Sequence, residues 1–134
     1  MIVDAQGAIL GRLASKVAKE LLKGEQVVII NAEKAIVSGN PDAIIDRYLA
    51  KIHRGDPHKG PFYPKQPDRL LRRVVRGMLP YKKQRGRIAF KKLKVFTGNP
   101  NNLQGEKISK TTEELKAKYL TLAEISKELG WKHG

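Results

Sequence analysis

The sequence has no cysteine, one tryptophan, few acidic residues and no long apolar run. Without cysteine, a disulfide scaffold, a CxxC redox site and a thiolate metal site are all excluded. No apolar stretch approaches the roughly 20 residues that span a bilayer. The first residues, Met1 to Asp4, resemble a strand rather than a secretory signal. These absences predict a soluble intracellular protein with no membrane partner.

The chain is long enough to build one hydrophobic core. It has 134 residues, of which 40% are hydrophobic, and a chain of this size buries roughly two thirds of its unfolded surface. No internal repeat or domain boundary is visible. We therefore expect a single domain, 1–134.

Positive charge is concentrated in one third of the chain. Residues 51–94, here called the basic segment, contain fifteen Lys and Arg but only Asp56 and Asp68 as acids, a net charge of +13. The other residues carry a net charge of +1. Such a field opposes compaction by self-repulsion, and a polyanion that binds it gains by counterion release. The asymmetry therefore favours a nucleic-acid partner over an anionic membrane or a merely solvated face.

The first forty residues predict an α/β fold. Apolar residues between Leu10 and Leu22 recur with helical spacing. This helix lies between the strand candidate Ile2–Ala5 and the continuous apolar run Val27–Ile30, so a βαβ unit with parallel strands is expected. Ala35–Val37 is a third strand candidate.

Further elements follow in the second part of the sequence. Asn40 is expected to cap a second helix, and Asp68 a third. Leu93–Phe96 alternates like a strand, and Thr121 with Glu124 forms a capping-box pattern before a last helix. Between them, Gly55–Pro67 contains four prolines and predicts an extended basic loop that docks on a partner.

The third helix carries a stripe of four arginines opposite its apolar stripe: Arg69, Arg72, Arg73 and Arg76. At about 100° per residue the two stripes point in opposite directions, and only Asp68 is close enough in sequence to pair with an arginine of the stripe. Guanidinium groups without acidic partners suit phosphate oxygens. The candidate nucleic-acid-binding residues are Arg54, Lys59, Lys65, Arg69, Arg72, Arg73, Arg76, Lys82, Lys83, Arg85, Arg87, Lys91 and Lys92.

Glycines and aromatic residues within the basic segment have two interpretations each. Gly77 and Gly86 could allow close approach of a sugar-phosphate backbone, although a helix end and a turn explain them equally well. Phe62, Tyr63 and Tyr81 could stack on unpaired bases or pack beneath a loop.

Catalytic, metal and cofactor sites have little support. His53 and His58 lack partners at metal-ligand spacing. The turn Gly7–Arg12 follows a strand and opens a helix, as phosphate-binding loops do, but it matches neither G-x-G-x-x-G nor G-x-x-x-x-G-K-[ST]. We predict no enzyme activity, cofactor, metal or small-molecule substrate.

Three stretches resemble the large-subunit ribosomal protein L13 family. The most specific runs from Val75-Arg76-Gly77-Met78-Leu79-Pro80 through Gly86-Arg87 to Leu93-Lys94-Val95-Phe96-Thr97-Gly98. The other two are Val3–Ser15 and Ile29–Lys34. The likeness covers essentially the whole chain, whose length is similar to that of archaeal members.

The resemblance implies a three-layer α/β domain with a four-stranded parallel sheet in the order 3-2-1-4. It also implies a structural constituent of the large ribosomal subunit in the cytoplasm, with ribosomal RNA and neighbouring ribosomal proteins as partners. Two alternatives remain open: a free DNA-compacting module, and an enzyme that acts on a phosphorylated substrate through Gly7–Arg12.

Overall fold

The computed structural model describes residues 1–53, 65–107 and 118–131. Helices and short strands alternate along these ranges. In chain order they are β1 (Ile2–Asp4), α1 (Leu10–Leu22), β2 (Val27–Ile30), a 3₁₀ turn (Ala32–Lys34), β3 (Ile36–Ser38), α2 (Pro41–His53), α3 (Pro67–Gly77), α4 (Gln84–Lys91), β4 (Leu93–Val95), β5 (Tyr119–Thr121) and α5 (Leu122–Glu128).

A parallel sheet of three strands forms the centre of the molecule, in the order β1-β2-β4. Val28 of β2 is in register with Ile2 on one side and with Lys94 on the other. The apolar run of β2 is almost entirely buried, as is typical of a central parallel strand covered on both faces of the sheet. The expected βαβ unit of β1, α1 and β2 is confirmed.

The expectation of four parallel strands in this sheet is wrong. β3 instead pairs antiparallel with β5 in a separate two-stranded sheet. Only five residues separate β2 from β3, and a parallel neighbour needs a crossover of a dozen residues or more. The expected order 3-2-1-4 is also wrong, because β4 lies beside β2 and not beside β1. At the outer edge of β1, the described residues form one isolated parallel bridge, between Val3 and Glu106.

Helix α1 is held by a continuous apolar face. Its buried residues are Leu10, Leu13, Ala14, Val17, Ala18 and Leu21, which follow the spacing expected for one face of a helix. This face packs against β2 and against α3 and α4. The basic helices therefore lie on the same core as the sheet, in an arrangement compatible with three layers.

The helix starts agree with the sequence in two cases and differ in one. The Asn40 side chain accepts hydrogen bonds from the first turn of α2, and Thr121 Oγ1 accepts one from Glu124 N (3.2 Å). Asp68 does not cap α3, because the helix begins at Pro67, one residue before Asp68, and Asp68 therefore lies inside the first turn. Proline at the first helical position has its φ preset and has no N–H to satisfy.

Candidate nucleic-acid interface

Helix α3 separates apolar and cationic side chains onto opposite faces. Leu70, Leu71 and Val75 are buried, because this face packs against α1 and β4. Arg69, Arg73 and Arg76 are exposed. The opposed stripes expected from the sequence are therefore present, with one exception.

The exception is Arg72, which has structural contacts. Its side chain is only partly exposed, and its Nη1 donates a hydrogen bond to the carbonyl oxygen of Leu93 (3.3 Å). Its guanidinium carbon lies 4.7 Å from the centre of the Phe90 ring. Arg72 thus links α3 to β4 and α4.

A second arginine of the stripe also rests on an aromatic ring. The guanidinium carbon of Arg76 lies 4.1 Å from the centre of the Tyr81 ring. Tyr81 and Phe90 meet edge to face, with ring centres 5.7 Å apart and planes at 86°. Arg72, Phe90, Tyr81 and Arg76 together form what we call the cation–aromatic stack. Tyr81 therefore has a packing role, whereas Phe62 and Tyr63 lie outside the described residues.

The turn between α3 and α4 is tightly folded onto itself. A Cβ on Gly86 would overlap the carbonyl oxygen of Pro80 and lie 2.9 Å from Tyr81 N. The Lys83 amide donates to Pro80 O (2.9 Å), and Arg87 Nη1 donates to Lys82 O (3.2 Å). The close approach that Gly86 permits is thus to the protein's own backbone. At Gly77, in contrast, a Cβ would meet no described atom within 4 Å other than those of its chain neighbours and its own helix backbone.

A cleft of about 590 Å³ opens beside this turn. Its described walls combine apolar and cationic side chains, and Gly77 lies at its exposed margin. We call it the Arg76 cleft. It is lined by Arg73, Arg76, Gly77, Leu79, Pro80, Tyr81, Lys82 and Lys83.

Four further predicted cations lie on α4 or at its C-terminal end. Arg85, Arg87 and Lys91 are exposed on α4. Lys92 is partly buried and its Nζ donates to Gly24 O (3.3 Å), which ties the end of α4 to the end of α1.

Three of the candidates lie away from the cleft or cannot be placed. Lys65 Nζ lies beside Gly130 after α5. It precedes α3, whose eleven residues place the cleft about 15 Å away at the opposite end of the helix. Arg54 and Lys59 lie outside the described residues.

Several cations of this surface are not neutralised by the described carboxylates. The ion pair between described residues joins Lys23 to Glu20 on α1, outside the basic segment. The exposed cations Arg69, Lys82, Lys83 and Arg85 have no ion-pair partner in the described ranges. Their charge is therefore available to an external anion.

The structure offers little to the enzymatic alternative. In the turn before α1, the amide of Gly7 donates to Lys34 O (2.9 Å) and that of Ala8 to Ala5 O (3.0 Å), so neither is available to a phosphate. Across 1–53, 65–107 and 118–131, no three His, Cys, Asp or Glu residues are grouped to hold a metal. No helix in those ranges has the length and apolarity to cross a membrane.

Sequence reasoning missed Phe90, Leu79 and Pro80 as members of this site. Phe90 lies four residues after Gly86 on α4, so helical spacing places both on the face that packs inward. This spacing is a signal that could have indicated Phe90. Nothing in the local sequence indicates that Arg72, eighteen residues earlier, lies over its ring.

Comparison with known proteins gives matches along nearly the whole chain. The family described as Ribosomal protein L13 matches residues 1–102. "Large ribosomal subunit protein uL13" of Methanocaldococcus jannaschii is 52% identical over 98% of this chain and 98% of its own length. Its counterpart in Methanopyrus kandleri is 50% identical, over 97% of this chain and 86% of its own. That of Haloarcula marismortui is 45% identical, over 97% and 90% respectively.

Proposed function

Because the chain belongs to the ribosomal protein L13 family, we propose that it binds large-subunit ribosomal RNA through the surface formed by α3, the following turn and α4. It is a structural protein of the large ribosomal subunit and not an enzyme, and it resides in the ribosome in the cytoplasm. In this proposal the cationic surface supports assembly of the subunit. Other faces meet neighbouring ribosomal proteins.

The observation that carries the proposal is a group of exposed cations on this surface that have no ion-pair partner within the described parts of the chain. Arg69 on α3, Lys82 and Lys83 in the turn, and Arg85 on α4 are all exposed. A-form RNA hides its base edges in a deep, narrow groove and presents phosphates and ribose. Most contacts at such an interface position the protein through the phosphate backbone. A surface of Lys and Arg on two adjoining helices matches that target.

The surface is also held in place before any RNA arrives. The cation–aromatic stack links α3 to α4, and the close packing of Gly86 on Pro80 closes the turn between them. Less conformational entropy is lost when a preformed surface binds. Arg73, Arg76, Arg87 and Lys91 add to the proposed contacts, while Arg72 and Lys92 support the surface through their bonds to carbonyl oxygens.

Two variants with the same net charge test where the RNA binds. The first changes Arg69, Lys82, Lys83 and Arg85 to Gln. The control changes four exposed cations outside the basic segment, Arg12, Lys16, Lys34 and Lys107, to Gln. Both variants have a formal net charge of +10, four below the +14 of the wild type. Affinity for archaeal large-subunit ribosomal RNA is measured as a function of KCl concentration.

We expect the first variant to bind at least about tenfold more weakly, with a slope of log affinity against log salt that is smaller by up to about three. The control variant should show nearly the same slope of log affinity against log salt as the wild type. Equal losses in both variants would show that overall charge, and not this surface, determines binding. Competition by duplex DNA as strong as by ribosomal RNA would favour the DNA-compacting alternative.

A further inference from the structure

The Arg76 cleft has a composition that phosphate binding alone does not require. Leu79, Pro80 and the Tyr81 ring contribute apolar walls, and Leu79 is only 6% exposed. Arg73, Lys82 and Lys83 contribute cations. A phosphate needs only the cations, whereas an unpaired base needs flat apolar surface with phosphate-binding groups on either side.

We propose that the Arg76 cleft receives a single unpaired base of the bound RNA. This proposal rests on the proposed function, since it specifies which part of the RNA meets one part of that surface. The cleft volume of about 590 Å³ falls within the 300–1,000 Å³ typical of pockets that take small organic groups. A base that remains paired inside a helix cannot enter it, so the occupant is an unpaired nucleotide.

Arg76 is the residue best placed to contact this base. Its guanidinium carbon lies 4.1 Å from the centre of the Tyr81 ring, so the phenol supports the guanidinium group from one side. Arginine planes serve as stacking surfaces for unstacked bases. Because Tyr81 is held in turn by Phe90, the stacking surface is rigid. The neighbouring lysines then lie within reach of the phosphates that flank the base.

Gly77 makes the cleft accessible and provides a specific test. It is exposed at the end of α3, and a Cβ there would meet no atom within 4 Å. Gly77→Leu therefore obstructs the cleft without changing any charge. Gly11 is the matched control, because it is also an exposed helical glycine with no atom within 4 Å of a Cβ.

The test uses two RNA duplexes of the same length and phosphate number. One contains a single unpaired uridine, and the other contains an abasic ribose at that position. We expect the wild type and Gly11→Leu to bind the uridine duplex about tenfold more tightly than the abasic one, as stacking of one base allows. Gly77→Leu should lose this preference, with its affinity for the uridine duplex reduced to the abasic level.

Each outcome distinguishes the cleft from the wider surface. Equal, salt-dependent binding of both duplexes by the wild type would overturn the base-binding cleft and leave the proposed function in place. Retention of the preference by Gly77→Leu would also overturn it. Absence of salt-dependent binding to either duplex would count against the proposed function itself. The wild-type comparison decides the matter even if Gly77→Leu does not fold.

Discussion

Two glycines of the basic segment serve opposite needs although both could be interpreted as sites of close RNA approach. Gly86 is buried and its missing Cβ makes room for the Pro80 carbonyl. Gly77 is exposed and has space around it. The sequence alone does not separate these roles, because both glycines lie next to arginine. The distinction arises from what packs against each one in the folded chain.

Gly86→Ala should destabilise the protein strongly. The new methyl group overlaps a backbone carbonyl that cannot rotate away, so α4 must shift from the turn. Overpacking of this kind lowers the free energy of unfolding by about 1–3 kcal/mol. Urea unfolding monitored by circular dichroism measures the change. Gly77→Ala is the control, and its stability should be unchanged or up to about 1 kcal/mol higher, since alanine favours the helix. Equal midpoints for Gly86→Ala and the wild type would contradict the packing argument.

Ser126 offers a change in the other direction. Ser126 is fully buried on α5, and its hydroxyl has no hydrogen-bond partner among the residues that the structure describes. Burying such a group lowers stability by about 1–3 kcal/mol. Ser126→Ala should therefore raise the free energy of unfolding by about 1 kcal/mol. The comparison is with Ser15→Ala on the exposed face of α1, which reports the gain in helix propensity less the loss of one exposed hydrogen bond, from Ser15 Oγ to Arg12 O (3.0 Å). A decrease for Ser126→Ala relative to Ser15→Ala would reveal an unrecognised partner of the hydroxyl.

At the scale of elements, α3 combines two tasks along one stripe. Arg69 is exposed at its start, whereas Arg72 bonds to β4 and lies over an aromatic ring of α4. Identical residue types one turn apart thus differ in function, because only the second faces another element. Replacing all four arginines of the stripe together would weaken both the interface and the fold.

Arg72→Gln should therefore affect stability more than Arg69→Gln. The loss of one hydrogen bond and one cation–π contact lowers the free energy of unfolding by about 1–2 kcal/mol. Arg69→Gln should stay within about 0.5 kcal/mol of the wild type, as exposed substitutions usually do. Both values come from urea unfolding of the isolated protein. If the two variants have the same stability, the Arg72 contacts contribute nothing measurable.

At the scale of the whole molecule, repulsion among the cations opposes folding. Residues 51–94 have a net charge of +13, and their helices lie on the same core as the sheet. The repulsion among these cations reduces stability when no polyanion is bound. Salt screens such repulsion over about 10 Å at 0.1 M ionic strength. RNA binding and folding of the free protein should consequently respond to salt in opposite directions.

The thermal midpoint of the free protein should rise between 50 and 500 mM KCl. A gain of about 1 kcal/mol corresponds to roughly 4 °C for a domain of this size. The variant with Gln at positions 69, 82, 83 and 85 should begin higher at low salt and rise less. Differential scanning calorimetry of both proteins measures this. A midpoint that falls with salt in the wild type would mean that attractive pairs dominate over repulsion.

Much of this architecture could be predicted from periodicity and charge. The apolar faces of α1 and α3, the buried run of β2 and the Thr121 cap all have local signals, and the structure confirms them. The predicted number of strands in the parallel sheet is wrong. β3 pairs instead with β5, more than eighty residues further along the chain, and local sequence patterns do not indicate a pairing over that distance. The strand β5 was missed for the same reason. The cation–aromatic stack likewise forms through contacts distant in sequence.

The packing of Gly86 against Pro80 has a consequence for the order of events when a ribosomal subunit is built. Because the turn between α3 and α4 is closely packed at this contact and the cation–aromatic stack joins the two helices, their cations have a fixed spacing. Under the proposed function, RNA adapts its own path to that spacing, since the protein has little freedom to adapt in return. We therefore expect the chain to act as a template that selects among the shapes of an incompletely folded RNA.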